Sequence, residues 1–261
     1  MSKSPEIVLA GMPEWAGASI SEISGGLSNR TWLVESGARK AVLKIDEAAR
    51  GAPFNTRAHE AQIQSFAAAQ GLAATVLFVS DTVYMTEFVE GDVWSLNCLE
   101  DASNIEQLAI ALRRLHALPL TGRTFDALGS AREYASRIVD PDAGKVRECL
   151  RKIESGPLPP NLCCCHNDLV VENIINTPET RFLDWEYACD NDPFFDLATI
   201  AAHHQLSETQ VDTLLDAYFD GNGARWREQL GRQADVYEAL LYLWEQSRVG
   251  SDAPTRNSAA P

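Results

Sequence analysis

Residues 165–173 read Cys-His-Asn-Asp-Leu-Val-Val-Glu-Asn, and residues 182–186 read Phe-Leu-Asp-Trp-Glu. Short apolar strands are predicted around the first segment, which places its polar side chains in a loop. The step from Asp168 to Asn173 lets this loop return to a strand, so that both side chains can face one cleft. Asp184 ends the next hairpin strand and reaches the cleft from the opposite side. The two segments therefore predict one cluster of oxygen-bearing side chains.

This cluster contains the groups that phosphoryl transfer to an alcohol requires. A carboxylate must orient the hydroxyl and accept its proton, and oxygen ligands must hold the magnesium that bridges the phosphates. Asp168 supplies the catalytic carboxylate, and Asn173 and Asp184 supply the metal ligands. His166 belongs to the same catalytic loop, where hydrogen bonding that orders the loop is favoured over acid–base work. The alternative is that these residues are turn and cap residues of a surface hairpin.

The two segments resemble the aminoglycoside phosphotransferase and choline kinase family, whose hallmark is His-x-Asp-x-x-x-x-Asn followed by a strand that ends in Asp. Asp-Trp-Glu-Tyr-Ala at 184–188, Asn-Asp-Pro at 191–193 and Phe-Asp-Leu-Ala at 195–198 look most like the choline/ethanolamine kinase and thiamine kinase branch. The resemblance covers nearly the whole chain. It is strongest from residue 165 to residue 198 and weakest across the final helices.

The resemblance implies an α+β, bilobal, protein-kinase-like fold with ATP and Mg²⁺ as cofactors. A small antiparallel-sheet N-lobe with one helix is expected at 1–89 and binds the nucleotide. A larger, mainly helical C-lobe at 90–250 carries the catalytic and substrate-binding residues, and 251–261 is expected to be a flexible tail. Asp196 is implied as the acid that ties down the catalytic loop.

The hydrophobic pattern predicts the order of elements within these lobes. A helix at 56–70 can be capped by Thr56 and ended by Gly71. Strands are expected at 20–24, 31–35, 40–45, 75–80 and 82–88, and later helices at 104–117, 131–155, 207–219 and 224–248.

Lys44 lies in an apolar strand, where a lysine is costly unless it is paired. Its predicted partner is Glu60 on the following helix, and the resemblance implies that this pair positions the ATP phosphates. The segment 24–29 sits where a phosphate-covering loop is expected, with a simple hairpin turn as the alternative. The ATP-binding residues proposed in this loop are Gly25, Gly26, Ser28 and Asn29. Backbone groups of Glu87 to Val89 are expected to bind the adenine edge.

The formal net charge of −15 at pH 7 excludes most modes of binding to nucleic acid or to anionic membranes. The same charge favours a cationic substrate. The chain shows neither a signal-peptide pattern nor an apolar run of membrane-spanning length, which predicts a cytoplasmic protein. Its six cysteines include no Cys-x-x-Cys pair, so they are expected to be reduced thiols that act as small buried hydrophobic side chains.

The substrate is expected to be a small alcohol, and a quaternary ammonium would need aromatic faces and a carboxylate. The residues proposed for its binding are Trp185, Glu186 and Trp244. Other aromatic candidates are Trp94, Tyr187, Tyr237 and Tyr242. Choline or ethanolamine is favoured, and thiamine would draw on the same residues. An aminoglycoside or amino sugar remains a further alternative.

Two alternative hypotheses about the function remain open. One is an inactive member of the same fold that binds nucleotide or partner proteins. The other is an unrelated metal hydrolase that uses His166, Asp168, His203 and His204. Adjacent histidines on a helix point in different directions, which makes the second a poor site. The oligomeric state, the choice between ATP and GTP, and the pathway are not determined by the sequence.

Overall fold

The first half of the sheet lobe is built from strands whose side chains alternate between two faces. The computed structural model describes residues 4–23, 30–51, 55–157 and 161–249. Within these residues, the strand β2 (Arg30–Ser36) pairs antiparallel with both β1 (Ser19–Ile23) and β3 (Arg39–Ile45). β4 (Val76–Val79) and β5 (Val83–Glu87) complete a five-stranded sheet in the order β1-β2-β3-β5-β4. All five predicted strands are confirmed, with ends shifted by one residue in most cases.

One face of this sheet is covered by the N-terminal segment. The helix α1 (Pro5–Leu9) and the 3₁₀ turn Pro13–Trp15 bring Leu9 and Trp15 onto it. They pack with buried residues of the strands, such as Leu43. The opposite face of β3 carries Lys44, because successive side chains of a strand point to opposite sides.

The helix α2 (Arg57–Ala69) follows the sheet as predicted. The hydroxyl of Thr56 accepts a hydrogen bond from the backbone N–H of His59, which caps the first turn. Gly71 follows the last turn with φ of 71°, a left-handed conformation that glycine adopts without steric cost.

The chain crosses from the sheet to the helical part at residues 88–91. Gly91 is required there, since a Cβ at this position would lie 2.2 Å from the carbonyl oxygen of Asn176. The short strand β6 (Asp92–Val93) then pairs with β8 (Ile174–Asn176), which pairs with β9 (Thr180–Phe182). β7 (Cys163–Cys165) pairs with β10 (Cys189–Asn191). These strands enclose the polar loop that the sequence predicted.

Helices form the rest of the lobe around one apolar cluster. They are α3 (Ala102–His116), α4 (Ala127–Arg137), α5 (Ala143–Glu154), α6 (Pro193–His203), α7 (Glu208–Tyr218) and α8 (Arg227–Arg248). The single helix predicted at 131–155 is wrong. Asp140 has φ of 55°, Pro141 follows it, and Asp142 caps the start of α5. None of the helices in the described ranges is long and apolar enough to cross a membrane.

The structure says nothing of two predicted segments. The phosphate-loop residues Gly25, Gly26, Ser28 and Asn29 and the tail at 251–261 lie outside the described residues. Their roles stay predictions.

Leu112→Ala tests the core of the helical lobe. Leu112 is fully buried on α3, so its truncation leaves a cavity and should lower the free energy of unfolding by about 2–5 kcal/mol. Ile110→Ala is the matched control, because Ile110 lies on the same helix and is 49% exposed. Urea denaturation measures both. Equal losses in the two variants would contradict the assignment of this core.

Candidate active site

Asp168 and Asn173 lie side by side in the loop between β7 and β8. The Nδ2 group of Asn173 donates to the backbone oxygen of Asp168 at 2.8 Å and to its Oδ2 at 2.9 Å. The Asp168 side chain remains half-buried. The amide of Asn173 thus fixes the orientation of the carboxylate from one side, and the predicted return of the loop brings the two side chains together.

Asp196 holds the start of this loop from the first turn of α6. Its Oδ2 accepts the backbone N–H of His166 at 2.9 Å, and its Oδ1 accepts that of Asn167 at 2.7 Å. The residue is fully buried. Its Oδ2 also accepts from Nε2 of His116 on α3, at 3.1 Å. The hydrogen bonds expected of a loop-anchoring acid are therefore present.

Asn167 is an anchor that the sequence analysis missed. Its backbone is left-handed, with φ of 64°, a conformation that asparagine tolerates better than most residues. Its Nδ2 donates to the carbonyl of Tyr187 at 3.0 Å, and its Oδ1 accepts from Asn191 at 2.8 Å. The loop is thereby tied to the Asp-Trp-Glu-Tyr segment.

His166 is fully buried and orders the site rather than facing its cleft. Its Nε2 donates to the carbonyl of Leu183 at 2.9 Å, next to Asp184. Its ring lies 4.9 Å from that of Trp185, centroid to centroid. This geometry supports the loop-ordering role that the sequence favoured, and a direct catalytic role has no support from it.

Asp184 joins the two lobes through Lys44. The ammonium Nζ of Lys44 donates to Oδ1 of Asp184 at 2.8 Å. Burial alone would lower the pKa of Lys44, but the charges of Asp184, Glu60 and Glu186 outweigh it and raise that pKa. Burial likewise raises the pKa of Asp184, and the charge of Lys44 reverses this into a lowered value. The pair is therefore ionised. The backbone of Asp184 is left-handed, with φ of 60°, strain of the kind found at functional sites.

The predicted ion pair between Lys44 and Glu60 is wrong for this structure. Oε2 of Glu60 instead accepts from Nη1 of Arg57 at 2.7 Å and lies 3.7 Å from Nη1 of Arg50. Arg57 also donates to both carboxylate oxygens of Asp46. Two arginines neutralise the buried glutamate, and Asp184 is left as the partner of Lys44. These ion pairs join side chains from three separate segments of the chain. The spacing of residues along the sequence does not reveal such pairs.

Glu186 is paired as well. Its Oε2 lies 2.7 Å from Nη1 of Arg50, and its side chain is 6% exposed. Burial, followed by the charge of Asp184, raises the pKa of Glu186 to about 7, against the opposing effect of Arg50. A role in binding a cationic substrate stays a prediction. Arg50 is a residue that the sequence analysis missed.

Trp185 is wrong as a substrate-binding residue. It is fully buried, and its Nε1 donates to the carbonyl of Phe182 at 3.1 Å, so it belongs to the core. Trp94 and Tyr237 are also buried. Trp244 is half-buried on α8, with the guanidinium of Arg248 5.1 Å from its ring centroid. Its contact with substrate stays a prediction.

Two tyrosines lie close enough to Asp168 for its charge to act on them. The pKa of Tyr134 on α4 is raised to about 12, chiefly by burial, with the charges of Asp168 and Glu186 adding to it and Arg137 opposing it. Burial and then Tyr134, Glu186 and Asp168 raise the pKa of Tyr187. Both hydroxyls are therefore protonated at neutral pH. Tyr134 was missed because it comes from a helix distant in sequence.

The predicted adenine-binding hinge lies at the end of β5. Glu87 and Phe88 line a cavity of about 520 Å³ together with Lys40, whose Nζ pairs with Glu90 at 2.8 Å. Lys40 is four residues before Lys44 on the same face of β3, about 13 Å away. Adenine binding by Glu87 and Val89 stays a prediction.

The two adjacent histidines touch the catalytic loop, but among the described residues they form no common ligand cluster with His166 and Asp168. Nε2 of His204 donates to the carbonyl of Leu169 at 3.1 Å, and Nε2 of His203 lies 3.8 Å from Oε2 of Glu172. Their rings stand 5.9 Å apart at a steep angle. This arrangement argues against the metal-hydrolase alternative.

The remaining donors of the site fit Mg²⁺. Asn173 uses its amide nitrogen on Asp168, which turns its carbonyl oxygen away from that carboxylate. Asp184 contributes a carboxylate that is ionised, as described above. Amide and carboxylate oxygens are the protein ligands that Mg²⁺ prefers.

Comparison with known proteins finds one matching family and several similar proteins. The family described as "Phosphotransferase enzyme family" matches residues 19–230. Protein LicA of Haemophilus influenzae is 31% identical over 207 residues, which cover 74% of this chain and 61% of that protein. The chain thus spans less than two thirds of this relative. Thiamine kinase of Salmonella typhi is 28% identical over 86% of this chain and 82% of its own. A crystal structure of a choline/ethanolamine kinase family protein from Mesorhizobium loti is 27% identical, with a TM-score of 0.74 over 95% of this chain and 86% of its own.

His204 should make the protein sensitive to acid. Burial lowers its pKa to about 4 from the ordinary 6.5. Between these values the unfolded chain takes up a proton that the folded chain does not, so the free energy of unfolding falls as the pH falls. The full loss is about 3 kcal/mol.

His204→Gln keeps a donor for Leu169 and should flatten this part of the pH profile in urea denaturation. His203→Gln makes the same change at the neighbouring, less buried residue and should keep most of the wild-type slope, because burial, and only to a smaller extent the charge of His203, lowers the pKa of His204. An unchanged slope in His204→Gln would refute the assignment.

Proposed function

The chain belongs to the phosphotransferase enzyme family, and from this premise we propose that it transfers the γ-phosphoryl group of ATP, with Mg²⁺, to the hydroxyl of a small cationic alcohol of the choline or ethanolamine type. One observation supports the proposal most directly. A hydrogen bond from Asn173 restrains the carboxylate of Asp168, and the ion pair between Lys44 and Asp184 belongs to the same candidate site. The family membership is shown. The kinase activity, the use of ATP and Mg²⁺ and the identity of the alcohol are the proposed parts.

Asp168 acts on the substrate hydroxyl. Its carboxylate accepts a hydrogen bond from the hydroxyl, which directs the oxygen toward the γ-phosphorus. The carboxylate takes the proton as the new oxygen–phosphorus bond forms and the bond from the γ-phosphorus to the β,γ-bridging oxygen breaks, which releases ADP. Asn173 restrains the carboxylate by its hydrogen bond at 2.9 Å. This restraint matters because orientation contributes much of the rate in phosphoryl transfer.

Lys44 and the metal-binding residues act on the phosphates. Asp184 and the carbonyl oxygen of Asn173 would hold Mg²⁺, which would supply positive charge to the phosphates of the nucleotide. Lys44 lies against Asp184 and can donate to a phosphate oxygen from that position. The family resemblance and the oxygen-donor set support this assignment.

The charge and the tyrosines support a cationic alcohol. The net charge of −15 attracts cations, and Tyr134 and Tyr187 bring aromatic rings near Asp168. Choline and ethanolamine fit this chemistry, as the similarity to the choline/ethanolamine kinase family protein suggests. Thiamine is the second candidate, because the thiamine kinase match extends over most of both chains. An amino sugar remains the third.

Two further parts of the proposal concern activity and location. An inactive nucleotide binder would lack part of the catalytic set, whereas Asp168, Asn173, Asp184 and Lys44 are all present here. All six cysteines are free thiols, which fits a cytoplasmic enzyme.

Asp168→Asn should reduce turnover by at least about 10²-fold while nucleotide binding persists, since the amide cannot accept the proton. The measurement is ADP release with ATP and Mg²⁺ across choline, ethanolamine, thiamine and an amino sugar. Asp235→Asn is the matched control, because Asp235 is an exposed partner of Lys152. Unchanged activity in Asp168→Asn would overturn the mechanism. Turnover of thiamine alone, or of the amino sugar alone, would show that this compound is the substrate instead of choline or ethanolamine.

Asp184→Ala should remove the part of nucleotide affinity that depends on Mg²⁺. The carboxylate that would hold the ion is lost, and Lys44 loses its partner at 2.8 Å. Calorimetric titration of ATP with and without Mg²⁺ measures the difference in both proteins. A Mg²⁺ effect in the variant as large as in the wild type would remove Asp184 from the metal site.

A further inference from the structure

A cluster of side chains of metal-ligating types, separate from Asp168, Asn173 and Asp184, lies next to the residues that anchor the catalytic loop. Cys163 and Cys165 are two apart on β7, so their thiols share one face of the strand, whereas Cys164 points to the other. The two Sγ atoms are 3.5 Å apart. One ring nitrogen of His116 joins them, and the three atoms all lie within 4.8 Å of one another.

These distances approach those of a tetrahedral zinc site. With Zn–S bonds of about 2.3 Å and Zn–N bonds of about 2.0 Å, the donor atoms of such a site stand about 3.5–3.8 Å apart. The sulfur pair is already near this separation, and the imidazole nitrogen, within 4.8 Å of both sulfur atoms, would have to approach them by up to about 1 Å. Cys163 is half-buried, which gives an ion a route to the cluster.

The hydrogen bonds of His116 prepare one nitrogen for a metal. In the neutral ring, Nε2–H donates to Oδ2 of Asp196 at 3.1 Å, and Nδ1 accepts the hydroxyl of Tyr218 at 2.6 Å. Histidine ligands of metals generally donate their other N–H to a carboxylate or carbonyl. Nδ1 therefore has the lone pair that a metal requires, and the Tyr218 hydroxyl is the group that must give way.

The thiols are only weakly engaged. Sγ of Cys163 lies 3.8 Å from the carbonyl oxygen of Asn191, and Sγ of Cys165 lies 3.6 Å from that of Asp192. A thiol is a weak donor, so these contacts cost little to break. Binding of a divalent ion releases the two thiol protons to solvent and leaves two thiolate–metal bonds, which makes the affinity rise with pH.

We propose that His116, Cys163 and Cys165 form a binding site for a thiophilic divalent cation of the zinc class, distinct from the magnesium site of the catalytic loop. Asp196 connects the two, because the same Oδ2 accepts from His116 and from the backbone of His166. The site is independent of the proposed substrate.

Cobalt is the probe, because Co²⁺ replaces zinc and gives an absorption band when thiolates bind it. Added to the reduced, chelator-treated full chain, Co²⁺ should produce this band up to one equivalent, and Zn²⁺ should abolish it. Cys163→Ala and Cys165→Ala should each raise the Co²⁺ dissociation constant at least about tenfold. Oxygen ligands give no thiolate band, so Asp184→Ala should keep it.

Two controls separate this site from other thiols. Cys164→Ala alters the same strand on its opposite face, and Cys98→Ala removes another half-buried cysteine far along the chain. Both should keep the band, and circular dichroism checks that each variant is folded. If Cys164→Ala fails to fold, Cys98→Ala alone serves as the control variant. No thiolate band in the wild type, or an equal band in Cys163→Ala, would overturn the proposal whether or not the chain phosphorylates any alcohol tested.

Discussion

The buried carboxylate of Asp196 is the constraint on which the site depends. It accepts the backbone N–H groups of His166 and Asn167, and these two bonds fix the direction in which the loop leaves β7. Unpaired, each of these buried groups would cost free energy. Asn173 then closes the loop onto Asp168 from its other end. The catalytic carboxylate is thus positioned by backbone bonds first and by a side chain second.

A network of buried charges joins the sheet lobe to the helical lobe. Arg57 forms ion pairs with Asp46 and Glu60. Arg50 forms ion pairs with Asp46 and, in the helical lobe, with Glu186. Buried charges are tolerated when each is paired, and removal of one partner leaves the other at high cost. The network holds the Asp-Trp-Glu segment against the start of α2. It leaves Lys44 and Asp184 paired with each other at the proposed nucleotide site.

Local patterns in the sequence predicted most of the fold. The five strands of the sheet, the helix capped by Thr56, and the short strands around the polar loop are all present because apolar periodicity and turn residues act within a few positions. The long helix predicted at 131–155 was wrong because two local signals were overlooked, the helix-breaking Pro141 and the cap residue Asp142. Trp185 was wrong because an aromatic residue beside a polar loop can face either the cleft or the core.

The sequence by itself determined the proposed catalytic set, since Asp168, Asn173 and Asp184 lie in two short segments whose spacing restricts where their side chains can go. Only the tertiary structure decided the partners of the buried charges. Lys44 pairs with Asp184 instead of Glu60, and Arg50 forms an ion pair with Glu186. These pairings arise because basic residues from distant segments compete for the same carboxylates. The grouping of His116 with Cys163 and Cys165 has the same origin. Long-range electrostatic pairing depends on the distances that folding creates, and spacing along the chain does not contain them.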